Sequence, residues 1–406
     1  MANKQAETER VPTDGDEEFT SSLIKSINQT LKEKRAFNLD SDDSPTNVER
    51  FISTGSVLLD YIASNRKYGG IPEGRLTEIA GEESTGKSFI GIQALAETQK
   101  AGGIAVYIDT ENATDKHLLK TLGVNIKTLV YLQPRTVEDV FKSIEHIIKK
   151  IKEKGIDKPV TVVWDSVAAT PPKMELDGDY DTNTVGLGAR VVSKGLRKII
   201  DFIGENRVTL IFINQLKMKI GAGLYEDPWV APYGKAIPFH ASLRLRLTRK
   251  RTSDVKEDEG GVGADFLGVG VKVKVMKNKI CPPFRTCEFT IGFYQGVLEH
   301  EQLYDKLASA SPLSWKSGND MFILNTVKGQ WHKASLFKVN GDKASEEIVP
   351  EFKFRKKKIA SAFFDNEVLK PYLPDALDTI LHKEYTKQEM PEFDLALTDE
   401  ILEELD

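Results

Sequence analysis

Eight residues, Gly81-Glu82-Glu83-Ser84-Thr85-Gly86-Lys87-Ser88, constrain this chain more than any other feature. They satisfy G-x-x-x-x-G-K-[ST], follow the apolar run Leu76–Ala80 and open a helix-like segment. The glycines let backbone amides curl around a phosphate, Lys87 reaches the β and γ oxygens, and Ser88 offers a hydroxyl to magnesium. The dipole of a helix starting near Lys87 adds to the attraction for an anion. A strand feeding such a loop and helix belongs to an α/β fold with a mainly parallel sheet, so all eight positions are expected to bind nucleotide.

The rest of the stretch from Phe51 to about residue 300 keeps the same alternation. Ile104–Asp109, Val160–Asp165 and Thr209–Asn214 read as buried strands, whereas Leu243–Thr248 and Val269–Met276 alternate apolar with basic residues, as strands nearer a sheet edge do. Ligands of open α/β sheets collect beyond the carboxyl ends of the strands. That rule singles out three residues. Asp165 ends a strand where it can join Ser88 in a magnesium shell. Glu111, two residues past Asp109, can orient and polarise the water that attacks a γ-phosphate. Gln215 can bond the γ-phosphate and lose that contact on hydrolysis, and the glycine-flanked segment Leu216–Gly223 behind it is free to order or disorder.

Composition sets the outer bounds. The chain has 406 residues, 29% charged and 40% hydrophobic, enough for two or three folding units. No apolar run reaches the roughly 18 residues that span a bilayer, and the first 20 residues lack a signal-peptide core, so a cytoplasmic protein is expected. Cys281 and Cys287 are too few for a disulfide framework and poorly placed for zinc. The net charge of −5 hides an asymmetry. Glu389–Asp406 holds eight acids and no base, residues 1–20 carry a net −4, and residues 21–388 are therefore net +7. Both acidic ends read as tails, with 1–19 expected to be disordered. Leu23, Ile24, Ile27 and Leu31 share one face of a short helix capped by Thr20 or Ser21, within a docking and linker element over 20–50. After about residue 300 the pattern weakens into a smaller mixed region, 301–388, which contains the basic cluster Lys353–Lys358.

Taken together, Ile52–Ser56, Gly81–Ser88, Tyr107–Glu111, Val163–Ala169, Gly186–Arg190, Phe212–Gly221 and Val275–Ile280 resemble the bacterial RecA family of DNA recombinases, over about residues 48–297. The region after 300 is more divergent, as in phage-encoded relatives. The resemblance implies a P-loop ATPase that assembles a helical filament on single-stranded DNA, pairs it with a homologous duplex and exchanges strands. ATP and Mg2+ would lie between protomers, and single-strand-binding and loader proteins would assist. The compartment would be the cytoplasm, that of the host if a phage encodes the chain. By the same resemblance Lys87, Glu111 and Gln215 are catalytic, and Lys277 and Lys279 reach across to the neighbour's phosphates in the manner of an arginine finger. Asp115 would meet the adenine amine. Two loops, about Met174–Leu187 and Leu216–Lys235, would carry DNA, with Val185, Arg190, Ser193, Arg197, Lys217, Met218, Lys219, Ile220, Gly234 and Lys235 at contact positions. The helix around Leu23–Leu31 would pack on the adjacent protomer, and Lys353–Lys358 would gather duplex.

The sequence departs from the family at Leu118, where a tyrosine often stacks on adenine; Phe293 is a substitute candidate. The second loop carries Trp229, Pro232, Pro238 and Lys235 among unfamiliar residues. A ring-forming helicase of the same fold and a non-enzymatic nucleotide switch share parts of the pattern. The Lys277-Asn278-Lys279 and Phe212–Gln215 segments favour the recombinase over the helicase, and Glu111 argues against the switch.

Overall fold

The computed structural model describes residues 14–39, 47–112, 114–179, 186–219, 221, 223, 227–250, 255–256, 266–293, 295–340 and 344–386. These fall into two compact units, Met1–Glu49 and Arg50–Asp406. In the first, helix α1 spans Asp14–Leu31. It begins ahead of the expected Thr20 or Ser21 cap and takes in residues assigned to the acidic tail. Asp16, Glu17 and Glu18 put carboxylates at the positive end of the helix dipole, which favours the earlier start. Leu23, Ile27 and Leu31, four residues apart, are exposed. The Asn28 carboxamide closes the chain after the helix by accepting from the Arg35 and Ala36 amides at 2.7 and 2.8 Å. The rest of both acidic tails, residues 1–13 and 389–406, lies outside the described residues.

The second unit opens with a two-stranded ribbon, β1 (Phe51–Ile52) and β2 (Ile71–Pro72), which flanks α2 (Val57–Ser64). The nucleotide-loop strand β3 (Leu76–Gly81) then leads into α3 (Lys87–Lys100). Next come β4 (Ile104–Asp109), α4 (Lys116–Thr121), β5 (Val130–Leu132) and α5 (Val137–Lys154). They are followed by β6 (Val160–Asp165), the short α6 (Lys173–Leu176), α7 (Leu187–Glu205) and β7 (Val208–Gln215). A small hairpin, β8 (Lys217–Met218) with β9 (Trp229–Val230), precedes α8 (Ala236–His240). Then follow β10 (Leu243–Arg249), β11 (Val255–Lys256), β12 (Phe266–Asn278), β13 (Thr286–Gly292) and β14 (Gly296–Leu298).

Among the described residues the large sheet has ten strands, nine in the order β14-β13-β12-β10-β3-β7-β6-β4-β5 with β11 beside β12. The six from β10 to β5 are parallel, and β12 to β14 turn antiparallel. The mainly parallel core expected from the sequence is thus present. Its central strands are apolar on both faces because helices cover both. On one face Val162, Trp164, Leu210 and Phe212 pack with Phe141 and Ile144 of α5 and Val192 and Leu196 of α7. Trp164 meets Phe141 and Phe212 edge-on at 5.8 and 4.9 Å between ring centroids. On the other face Ile79, Tyr107, Val163 and Ile213 pack with Ile90 and Leu95 of α3.

The C-terminal region is a mixed one, as expected. Helix α9 (His300–Ser309) leads to a four-stranded antiparallel sheet, β15 (Leu313–Ser317), β16 (Asp320–Val327), β17 (His332–Asn340) and β18 (Ala344–Phe354), and α10 (Leu373–Thr386) closes the described chain. Its Tyr304, Leu336, Phe363 and Leu381 belong to the same apolar cluster as Ile79 and Leu95. Among the described residues no helix is long and apolar enough to cross a membrane.

Candidate nucleotide site and nucleic-acid interface

The loop after β3 is shaped by close backbone approaches. A Cβ at Gly81 would stand 2.5 Å from the Leu247 carbonyl oxygen, and one at Gly86 would stand 2.1 Å from Ile291 Cδ1. Gly86, with φ +83°, also caps α3 in the left-handed region that glycine adopts without steric cost. Thr85 is buried and its hydroxyl donates to the Glu82 carbonyl at 2.9 Å. Lys87 Nζ donates to the same carbonyl at 2.5 Å, so its ammonium lies within the loop. Burial pulls the Lys87 ammonium below the ordinary lysine range, against the attraction of Asp165, Glu111, Glu83 and Glu82. A cation held at such a cost is stabilised by the arrival of a phosphate.

Parallel register brings the carboxyl ends of four strands together, pairing Gly81 with Gln215 and Asp109 with Asp165. Gln215 Nε2 donates to Glu83 Oε1 at 2.6 Å, which places the amide against the loop. Asp165 is buried, accepts from Tyr107 Oη at 2.9 Å and is bonded by the Ser88 hydroxyl. Burial raises its carboxyl above the usual range; Glu111 and Asp109 push it further, and the Ser88 and Tyr107 bonds oppose. A hydroxyl and a carboxylate in an acidic neighbourhood form an all-oxygen donor set, the kind Mg2+ takes with only one or two protein carboxylates. Among the described residues no cluster of three or more His, Cys, Asp or Glu side chains could hold a metal by itself, so the phosphates would have to complete the shell.

Glu111 is held by a residue that sequence reasoning passed over. The buried carboxylate of Asp109 accepts from the amides of Glu111, Asn112 and Thr114 at 3.0, 2.8 and 3.2 Å and from Tyr131 Oη at 2.8 Å. The turn that presents Glu111 is therefore wrapped around the Asp109 side chain. Glu111 Oε1 accepts from Ser166 Oγ at 2.5 Å, one residue past Asp165. The only signal in the sequence was an acid at a strand end, which on its own suggests a metal ligand or a cap. Asp115 is exposed at the start of α4, and Leu118 is partly buried against the core; Phe293 is 41% exposed.

Lys277 and Lys279 are not brought to this site. Lys277 pairs with Arg244 and Asn278 with Leu243, which in turn lies beside Thr77. Gly81 lies four residues along β3 from Thr77, about 13 Å at the rise of a strand. These lysines thus stand at the amino end of the parallel strands. Lys277 Nζ donates to the Pro238 and Phe239 carbonyls at 2.8 Å each. Burial, then Lys279 and Arg244, lower its proton affinity. Burial lowers that of His240 too, followed by the charges of Lys279, Arg197 and Lys277. A basic cluster with the exposed Phe239 ring beside it therefore marks this end.

Arg190, Ser193 and Arg197 follow one another at spacings of three and four on α7 and share a face; Arg190 and Arg197 are exposed. Lys217 and Met218 form β8, Lys219 N donates to the Pro228 carbonyl at 2.7 Å, and Gly234 and Lys235 stand exposed where the loop rejoins α8. The second loop is thus a hairpin at its base. Val185 and Ile220 lie outside the described residues. At the end of β18, Arg355 stacks over the half-exposed Trp331 ring at 4.8 Å, while Lys356 is paired with Glu301.

The sequence profile of the RecA N-terminal domain matches residues 19–298. Protein RecA of Helicobacter acinonychis is 39% identical over 325 residues, covering 80% of this chain and 86% of its own length. Protein RecA of Trichodesmium erythraeum is 40% identical over 276 residues, with 68% and 71% covered, and that of Borreliella afzelii 37% over 322 residues, with 78% and 82%. With a profile match running through both the nucleotide loop and the Lys277–Lys279 strand, the chain belongs to the RecA family.

Proposed function

We infer that this chain is an ATP-dependent homologous recombinase, a DNA-dependent ATPase that assembles on single-stranded DNA as a helical filament and exchanges strands with a homologous duplex. The observation that carries the filament is the separation of the two halves of the catalytic set along the parallel strands, with Lys87, Glu111, Asp165 and Gln215 at one end and Lys277 and Lys279 at the other. A strand cannot fold back on itself to close that gap, whereas a second copy docked head to tail closes it, and head-to-tail contacts generate rings or helices.

In this reading the amides of 81–88 and the α3 dipole bind the phosphates, and Lys87 neutralises their charge. Bound Mg2+, held through Ser88 and Asp165, supplies further charge neutralisation on the transferring phosphoryl group. Glu111, oriented by Ser166 and by the turn around Asp109, aligns the attacking water and takes its proton. Gln215 exchanges its bond to Glu83 for one to the γ-phosphate, and that exchange pulls on β8 two residues away. Lys277 and Lys279 of the neighbour balance the developing charge. Arg190, Ser193, Arg197, Lys217, Lys219 and Lys235 contact the DNA backbone, which gives affinity without sequence preference. Electron microscopy with single-stranded DNA and a slowly hydrolysed ATP analogue tests the assembly. Open helical filaments are expected, and closed rings would instead assign the chain to the helicase class.

A further inference from the structure

One side chain joins the candidate DNA loops to the segment that holds the Glu111 turn. Tyr233, just before the second loop rejoins α8, donates its hydroxyl to the Thr170 carbonyl at 2.5 Å. Its ring lies so close to Gly188, at the start of α7 and just beyond the first loop, that a Cβ there would stand 1.9 Å from Tyr233 Cε1. Tyr233 and Gly234 have φ of +61° and +71°, two successive left-handed residues that fix the direction in which the second loop leaves.

Thr170 ends the five-residue segment that Ser166 begins, with a single 3-10 turn, Val167–Ala169, between them. At one end of the segment the Ser166 hydroxyl holds Glu111. At the other, Thr170 Oγ1 lies 2.9 Å from each of Trp164 Nε1, Thr110 Oγ1 and the Ser166 carbonyl. Thr110 is the residue before Glu111, and its amide donates to the Asp165 carbonyl at 2.7 Å. The segment is thus fastened to the catalytic turn on one side and to Tyr233 on the other, and one 3-10 turn is too short to absorb a displacement of either end.

We propose that Tyr233 is a positioning residue that couples the state of both loops to the orientation of Glu111. The proposal rests on reading the chain as a DNA-dependent ATPase. When DNA fixes the loops, Tyr233 holds Thr170 and so holds Ser166 against Glu111; when the loops are free, the hydroxyl can leave the carbonyl and the segment relaxes. In this proposal Ser166–Thr170 shifts as one stiff piece between two positions, carrying the state of Tyr233 at one end to Glu111 at the other.

The test is Tyr233→Phe, which keeps the ring on Gly188 and removes only the hydroxyl. For wild type and variant, ATP turnover is measured with and without saturating poly(dT), alongside KM for ATP and poly(dT) affinity by fluorescence anisotropy. The stimulation factor, turnover with DNA over turnover without, should fall about tenfold, the scale of one lost hydrogen bond, while KM and DNA affinity stay within about twofold. An unchanged stimulation factor overturns the proposal. So does a parallel loss of DNA affinity, which would make Tyr233 a residue that only folds the loop. Gly188→Ala, which pushes the ring aside and carries its hydroxyl off the Thr170 carbonyl, should also lower stimulation, and its failure to do so would sink the coupling even if the Phe variant did not fold. A wild-type protein that hydrolyses ATP equally with and without DNA would instead remove the ATPase reading beneath the proposal.

Discussion

The two ends of the central sheet do opposite things with charge, one built where β3, β4, β6 and β7 end and the other where β12, α7 and α8 meet the start of β10. At the carboxyl end, Asp109, Glu111 and Asp165 gather around Lys87 and Ser88, each tied to a neighbouring hydroxyl or amide within the same chain. At the amino end, Lys277, Lys279 and Arg197 crowd around His240, and Lys277 is bonded only to backbone carbonyls among its described hydrogen bonds. One end has an excess of acid suited to a cation, and the other an excess of base suited to phosphate. On the proposed reading, the difference teaches that one chain carries two half-sites, each of the charge the other attracts.

The largest effect that separates the two ends is expected at Glu111. Glu111→Gln keeps the size of the side chain and can still accept from Ser166, but it cannot take a proton from water. Steady-state hydrolysis in the presence of single-stranded DNA should fall at least about a hundredfold, with filaments still visible by electron microscopy. Retention of more than a tenth of the activity would mean that the acidic end lacks the catalytic base assigned to it.

A second, smaller effect asks whether the basic end works only on a neighbour. Lys87→Ala and Lys277→Ala should each be nearly inactive alone. Mixed in equal amounts before DNA is added, they should recover about a quarter of wild-type hydrolysis, the fraction of random interfaces that join an intact Lys87 to an intact Lys277. No recovery in co-assembled filaments would show that the basic end serves its own chain or serves no catalytic purpose.

The acidic end was legible in the sequence because each of its parts sits at a strand terminus, where topology alone decides what is brought together. Gly81, Asp165 and Gln215 needed only the parallel order to become neighbours. Asp109 was passed over because its work is done through backbone amides of the following turn, and a motif of side chains does not register such a bond. The basic end was legible only through family resemblance, since Lys277 and Lys279 look like the wet face of a strand until a second copy is considered. The four-stranded C-terminal sheet was the least legible. Register shifts between Ala334 and Phe337 break the two-residue alternation in β17, and Tyr304, Phe354 and Phe363 fill their core from elements far apart in sequence. Tyr233 could not be found from sequence at all, because its partners Thr170 and Gly188 are 63 and 45 residues away.

The smallest expected effect concerns what supports the basic end. Asn278, between the two lysines, donates to the Ala63 carbonyl at 2.8 Å, so α2 anchors the end of β12. Within α2, Asp60 is fully buried and accepts from Ser53 Oγ at 2.6 Å and from the Thr54 amide and hydroxyl at 2.8 and 2.7 Å. Those partners are neutral, and burial pushes the Asp60 carboxyl up to about 7, with Glu299 adding to the rise. A carboxyl whose folded value exceeds its unfolded value of about 4 stabilises the fold while protonated and loses that contribution as pH rises toward 7. Wild-type stability in urea should therefore decline between pH 5 and 7.5 relative to Asp60→Asn, which cannot ionise. Asp165 is also raised by burial, but Mg2+ and nucleotide would keep it charged, so adding them should not remove the Asp60 difference. Parallel pH profiles for wild type and Asp60→Asn would mean that Asp60 stays ionised in the fold, and the support of the basic end would then tolerate a buried charge as the acidic end does.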